Sequence, residues 1–427
     1  MIAFAVGAMV VLLALGLPIA IGLGLVGMGL SEFYSIMPLT RAMGEVAWGS
    51  STGFLMVSIP LFVLLGEILL RSGIADRMYA AVAAWLGWMP GGLMHANIGS
   101  SALFAAMCGS SVATAATVGT TAMPQMGKYG YNPALFLGSL AAGGTLGILI
   151  PPSINLIVYG LITNTSIPRL YLAGIVPGLL LAVMFMAVVA IACILRPSLG
   201  GRVIAVTWRE RIDLLAEFLP PVFIFIVVIG SIYMGWATAT ESAALGVVAA
   251  LLLTVLRGRF SIAMFVTAVE NTMKTTGMIM LIVIAAFFLN FVMTAVGLTT
   301  TIVNLVTAYD LPPLWLMMAV IVFYLILGAF MDEMAMMIST VPVIAPVVFA
   351  AGFDGVWFGV MLVVLMQAGM ILPPVGINLF VIQGIRRSGR ISEIAWGSAA
   401  FVLAMVVLMA LLIVFPQIAL WLPAALN

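Results

Sequence analysis

Residues 147–160 read GILIPPSINLIVYG, and residues 369–384 read GMILPPVGINLFVIQG. Each stretch passes from a glycine through three apolar residues to Pro-Pro, then a short break, then Ile-Asn-Leu and more apolar residues. Two prolines inside a hydrophobic run remove two N–H donors and free carbonyls upstream, while the glycine relaxes the backbone. In hydrocarbon, bare polar backbone is tolerated only where protein buries it or it lines a wet cavity. A helix broken this way offers carbonyls to a cation and a half-helix N-terminus to an anion. A single proline kink often does no more than shape packing. The same kink written twice, in register, with Asn155 and Asn378 just past each break, points to a site.

The duplication reaches further along the chain. Pro124, Gly130, Gly147, Pro151 and Pro152 recur as Pro346, Gly352, Gly369, Pro373 and Pro374, each 222 positions later. Asn155 recurs as Asn378 after a one-residue insertion.

Composition sets the solvent. Of 427 residues, 65% are hydrophobic and 7% charged, against about 25% charged in soluble domains, and the mean hydropathy is +1.31. Apolar runs near the ~20 residues a bilayer-crossing helix needs recur throughout, so the chain reads as an all-α polytopic membrane protein. The first apolar stretch, 2–30, lacks a basic flank and is long enough to span, unlike a cleavable signal. The net charge of +1 gives no reason to expect nucleic acid. Cys108 and Cys193 form no disulfide or metal pattern, and His95 is the single histidine. No GxxxxGK[ST] loop is present, so ATP is not bound by that route. No cofactor is expected.

Basic residues orient the spans. Arg196, Arg202, Arg209 and Arg211 crowd the one long polar loop, which is placed in the cytoplasm. Residues 2–30 are then expected to cross once from a cytoplasmic N-terminus, with an interfacial piece around 41–48 and a return through 52–70. Residues 136–163 go out, 170–195 back, 218–234 out, 243–256 back and 278–296 out. Residues 356–384 come in, and 394–422 end outside. Residues 90–128 and 311–354 fit as helical hairpins that enter and leave on one side, which leaves only Arg41 and Arg169 of the 15 Lys/Arg outside. The expected fold is two inverted-topology repeats, each with a re-entrant hairpin and a Pro-Pro-broken helix, an architecture of secondary transporters.

The hairpins supply the rest of each candidate site. The first has a small, hydroxyl-rich tip, CGSSVATAATVG, from Cys108 to Gly119; Thr114 and Thr117 in it fit packing as well as binding. The position matching Ser110-Ser111 in the second is Asp332-Glu333. Intramembrane carboxylates are expensive and read as functional, although neighbours on a helix point about 100° apart and only one need face the site. Other charges read as structural. Glu67 with Arg71, and Glu270 with Lys274, have i,i+4 spacing. Arg257 and Arg259 read as snorkelling or topology charges, and Glu241 as a carboxylate at a helix start. The 31 methionines show no metal-binding arrangement.

Together GSSVATAATVG with PQMGKYGY, GILIPPS, GMILPPVGINLFV, GWATATESAA and LGAFMDEMA resemble the large membrane subunit of the tripartite ATP-independent periplasmic (TRAP) transporters, over essentially the whole chain. The resemblance implies a sodium-driven, elevator-type importer in the bacterial inner membrane, with its C-terminus periplasmic. Its expected partners are a small four-helix membrane subunit, a soluble periplasmic binding protein and a small organic acid. The substrate contacts it implies are Ser110, Ser111, Ser153, Asn155, Asp332 and Asn378. One sodium would sit on the backbone around Ser110, Gly147, Ile150 and Pro152, and a second on Gly328, Gly369, Leu372 and Val375. Residues 90–163 and 311–384 would form the transport domain. Residues 1–89, 164–217 and 218–310 would form scaffold and arms, with 385–427 a C-terminal span. Cys108 stands where the family often has Ser, and Glu333 where a small or apolar residue is more usual.

Three rival readings are weaker. A proton-coupled carrier could use Asp332 and Glu333, but no chain of ionisable groups leads from them to either face. A channel wants a continuous polar lining. An intramembrane protease needs a Ser–His pair or two aspartates; His95 falls at an expected interfacial hairpin start, and Asp332 has no aspartate partner.

Overall fold

A computed structural model describes residues 1–202, 206–308 and 312–426, and these are helical with no strand among them. Leu311, the first residue of the expected second hairpin, lies outside them.

The chain begins with a hairpin. α1 (Ile2–Ala14) and α2 (Ile19–Tyr34) are separated by Gly16 at φ 72°, and Pro18 caps α2. Phe4 meets Phe33 edge-on at 5.5 Å and Tyr34 at 5.7 Å, so the helices fold back on each other. This corrects the expected single crossing over 2–30. Glycine takes the left-handed turn at little cost, and Pro18 starts a helix instead of continuing one. The N-terminus therefore shares a face with Tyr34, against the expected crossing between them.

α3 (Met43–Ser51), α4 (Ser58–Arg71) and α5 (Ile74–Leu86) follow. The first expected hairpin is α6 (Leu93–Cys108) and α7 (Ser111–Tyr129), and the first broken helix is α8 (Pro133–Thr145) and α9 (Ile154–Thr163). α10 (Ile167–Leu195) leads into three short helices, α11 (Trp208–Asp213), α12 (Leu219–Phe225) and α13 (Ser231–Tyr233). Beyond them lie α14 (Ala239–Leu256), α15 (Ile262–Ala295) and α16 (Leu298–Ala308). The second hairpin is α17 (Pro313–Gly328) and α18 (Glu333–Ala350), and the second broken helix α19 (Gly355–Gly369) and α20 (Ile377–Arg386). The chain closes with α21 (Ile391–Val414) and α22 (Gln417–Ala425).

Two further spans differ from expectation. α15 is one rod of 34 residues, about 51 Å at 1.5 Å per residue, not a crossing confined to 278–296. The final stretch, 394–422, is two helices, because Pro416 cannot continue α21 past Phe415.

Among the described residues seven helical stretches are long and apolar enough to cross a bilayer. The halves of the broken helices are not: they have 13, 10, 15 and 10 residues. At about 15–23 Å each they are shorter than a ~30 Å hydrocarbon core. The halves exchange partners: α7 of the first hairpin packs on α20, and α18 of the second packs on α9. α10 and α21, which follow the two breaks, join this body through α6, α8 and α19. A second group forms where α15 packs on α2, α3 and α4, and α14 on α4.

The ion pairs are partly as expected. Arg71 binds Glu67, but Glu270 and Lys274 form no pair; the adjacent Asn271 donates to Glu67 at 3.2 Å instead. Arg257 is paired as well. It donates to Glu217 at 2.6 Å, and Arg77 reaches the other oxygen of that carboxylate at 3.2 Å. Glu241 completes a capping box with Thr238 at the start of α14. His95, in the first turn of α6, is fully buried within the protein, and its Nε2 lies 2.7 Å from the Pro90 carbonyl.

Candidate functional site

Four helix N-termini meet where the two hairpins and two breaks come together. α7 starts at Ser110, which accepts from the Ala113 N–H; α9 starts at Ser153, which accepts from the Leu156 N–H. α18 starts at Asp332, whose Oδ2 accepts from the Met334 and Ala335 N–H groups at 3.2 and 3.4 Å. α20 starts after Gly376. Three contacts tie these ends to one another. A Cβ placed on Gly109, at the first tip, would stand 2.5 Å from the Pro152 oxygen. The Val375 N–H donates to Ala329 at the second tip, 3.0 Å away. Between the tips, the Ser111 hydroxyl donates to Glu333 at 3.4 Å. Helix N-termini carry partial positive charge and unpaired N–H groups, so this junction favours anions.

The breaks approach the tips backbone to backbone. A Cβ on Gly147 would lie 2.4 Å from the Ser110 carbonyl oxygen, and one on Gly369 would lie 2.7 Å from the Gly328 Cα. Only glycine admits such proximity. The structure thus brings Ser110 to Gly147 and Gly328 to Gly369. Both breaks contain a cis Pro-Pro bond, 151–152 and 373–374. A cavity of about 320 Å³ opens beside Ile150 between α6, α10 and α12. Another of about 450 Å³ lies between Leu372 and α21.

The expected polar residues divide by what their atoms already do. Ser153 donates its hydroxyl to the Ile148 carbonyl at 2.5 Å, holding the first break closed. Thr114 and Thr117 bond back to the Ser110 and Ala113 carbonyls at 2.7 Å each, which accounts for both hydroxyls locally. Cys108 Sγ lies 3.4 Å from Thr114 Oγ1. Asn378 donates to the Ala141 carbonyl at 3.2 Å. Asn155, 1% exposed, has no partner for its Nδ2. Glu333, 8% exposed, has no partner for Oε2.

One participant escaped sequence reasoning. Gln367 is fully buried and donates to the Thr145 carbonyl at 2.8 Å, one turn along α8 from the carbonyl that Asn378 uses. Its signal was present: it is the single polar side chain in the apolar run of α19. Among the described residues no group of three or more His, Cys, Asp or Glu could hold a metal ion.

This arrangement defines an all-helical membrane protein built around two paired helix breaks. The sequence profile of the "Tripartite ATP-independent periplasmic transporter, DctM component" family matches residues 6–418. The C4-dicarboxylate TRAP transporter large permease protein DctM of Vibrio cholerae is 30% identical over 97% of this chain and 96% of its own. The ectoine/5-hydroxyectoine TRAP transporter large permease protein UehC of Ruegeria pomeroyi is 31% identical over 97% and 96%. The fold is shared with the YdaH transporter of Alcanivorax borkumensis, at a TM-score of 0.64 and 14% identity over 89% of this chain and 90% of that one.

The chain belongs to the TRAP transporter family, as its DctM component. It is therefore a permease of a multi-component transporter and not an enzyme.

Proposed function

We propose that this chain is the substrate- and ion-carrying permease of a sodium-driven importer for a small organic acid in the bacterial inner membrane. A periplasmic binding protein delivers the acid, and a small four-helix membrane subunit completes the complex. The observation that carries this reading is the pairing of each glycine-backed break with a hairpin tip, Gly147 with Ser110 and Gly328 with Gly369. Sodium is held by carbonyl oxygens, which such breaks supply without charged side chains. The acid docks between the tips, where four helix N-termini and the Ser111 hydroxyl offer donors. Relatives named for a C4-dicarboxylate and for ectoine/5-hydroxyectoine support a small, carboxylate-bearing substrate.

The moving body comprises residues 90–163 and 312–384; α10, expected from the resemblance to belong to the scaffold, and α21, expected as a C-terminal span, pack on it and move with it. It slides against a scaffold containing α2, α3, α4, α14 and α15. Apolar crevices of about 380 and 320 Å³ lie where the two meet, one between α1, α15 and α18, the other between α6 and α12. Protein interiors are otherwise close-packed, so loose apolar seams favour sliding.

The test is reconstitution with the small subunit and cognate binding protein, followed by uptake of labelled organic acids under an inward sodium gradient. Uptake needing both sodium and the binding protein is expected. Uptake that ignores sodium and follows a proton gradient overturns the coupling and transfers it to Asp332 and Glu333.

A further inference from the structure

We propose that the crevice beside the second break binds an anionic phospholipid of the cytoplasmic leaflet. One acyl chain lies in the crevice, and the phosphate rests on Arg387 and Arg390.

The two breaks have matching crevices with different walls. Ile150 and Leu372 hold equivalent places, 222 positions apart. Each lies beside a crevice flanked by the long helix that follows its break, α10 or α21. At the first break α12 supplies the far wall through Pro221, Val222 and Phe225. At the second, every lining residue among those described comes from the break, α20 or α21. Pro151 and Pro152 are accordingly buried, whereas Pro373 and Pro374 are exposed. The surface around the open side is apolar. Trp396 on the crevice wall is 80% exposed, and Phe380 and Leu403, each next in sequence to a lining residue, are 52% and 63% exposed. In a membrane-spanning chain such a face meets lipid.

Length and charge fit one leaflet. Along α21 the lining runs from Ile391 to Val402, about 17 Å at 1.5 Å per residue. That is close to half of a ~30 Å hydrocarbon core, the depth of one acyl chain. The crevice of about 450 Å³ has no charged residue in its lining and one hydroxyl, that of Ser392, at the Ile391 end. This end adjoins the basic turn 386–390, which the positive-inside rule places in the cytoplasm. Arg386 is neutralised by Glu393. Arg387 and Arg390 are exposed and form no ion pair among the described residues. Arg390 stands at the start of α21, and no side chain caps that helix. Two free guanidinium groups, a hydroxyl and an uncapped helix start are complementary to a phosphate. They sit at one end of an apolar slot whose other end is the Pro373-Pro374 break. The lipid thus takes at the second break the place that α12 takes at the first.

The test reconstitutes the complete complex in phosphatidylcholine vesicles with rising shares of phosphatidylglycerol whose acyl chains carry bromine, which quenches tryptophan on contact. Brominated phosphatidylcholine is the neutral comparison. The part of the quenching that Trp396→Phe removes reports this crevice. There the wild type is expected to favour phosphatidylglycerol by about ten-fold, at roughly 1 kcal/mol per arginine. Arg387→Gln with Arg390→Gln should abolish that preference. Ala399→Phe, which fills the crevice from an exposed position and leaves every charge in place, should lower it. Equal quenching by the two lipids in the wild type, or a preference that survives unchanged in either variant, overturns the inference. Absence of quenching at Trp396 by both lipids also overturns it, since the small subunit or a second copy then covers the crevice.

Discussion

Ser111 and Glu333 hold the same place in the two repeats, 222 positions apart, and they touch each other, hydroxyl to carboxylate at 3.4 Å. Thr145 and Gln367 have the same separation and also meet, at 2.8 Å. Repeat-equivalent residues can touch only where the two repeats face each other, so these pairs mark the seam between the halves. One contact lies between the hairpin tips and the other between the first halves of the broken helices. The repeats are therefore joined by side-chain hydrogen bonds at their shared centre, next to the breaks.

The Gln367 bond is expected to hold the halves together. Gln367→Leu leaves the Thr145 carbonyl without this donor and should cost about 1–3 kcal/mol. Gln367→Glu should cost more, because it sets a second acceptor against that carbonyl. Thermal melts of the purified chain check the order; a Glu variant as stable as wild type would refute the pairing.

Gly147→Ala and Gly369→Ala place a methyl against the Ser110 carbonyl and the Gly328 Cα. If carbonyls at these approaches hold sodium, replacing potassium with sodium should stabilise the wild type, by about 2.7 kcal/mol at a hundred times the dissociation constant. Each variant should lose part of that sodium-specific gain. Gly127→Ala is the control, since a Cβ there meets nothing within 4 Å, and it should keep the full gain. An unchanged sodium response in both site variants would exclude these breaks as cation sites.

The Glu217 cluster predicts unequal effects from its two arginines. Arg257 is 20% exposed and bonds at 2.6 Å, whereas Arg77 is 67% exposed and bonds at 3.2 Å. Arg257→Ala should cost about 2 kcal/mol, the order of a charge-assisted bond away from water. Arg77→Ala should cost about 0.5 kcal/mol or less, as exposed pairs do. Double-mutant cycles with Glu217→Gln isolate the two couplings, and only the Arg77 coupling should fade strongly in high salt.

The breaks and hairpin tips were legible because Gly and Pro act through covalent geometry, and their recurrence fixed the register of the two halves. The pairing of Gly147 with the first tip and Gly369 with the second came only from the family resemblance, not from that register. The hairpin at Gly16 and Pro18 carried the same punctuation, yet it was hidden inside a run whose total length suited one crossing. Pro416 was missed for the same reason. Long-range partners left no local trace. Nothing near Arg257 in sequence announces Glu217, and nothing near Glu333 announces Ser111 except the repeat offset.

Asn155 and Asn378 match in sequence but not in bonding, and this separates two roles. Asn378 donates across the seam to Ala141, so Asn378→Ala should lower stability by about 1 kcal/mol or more. Asn155 has no acceptor for its amide N–H, so Asn155→Ala removes no bond made by that group in the free protein and should leave the melting temperature nearly unchanged. If that amide serves the carboxylate of the substrate, the same variant should raise the KM for uptake about ten-fold, the order expected for one lost charge-assisted bond. Melting curves and uptake kinetics on both single variants decide the matter. Equal losses of stability would make the two asparagines a structural pair, and an unchanged KM in Asn155→Ala would remove that residue from the site.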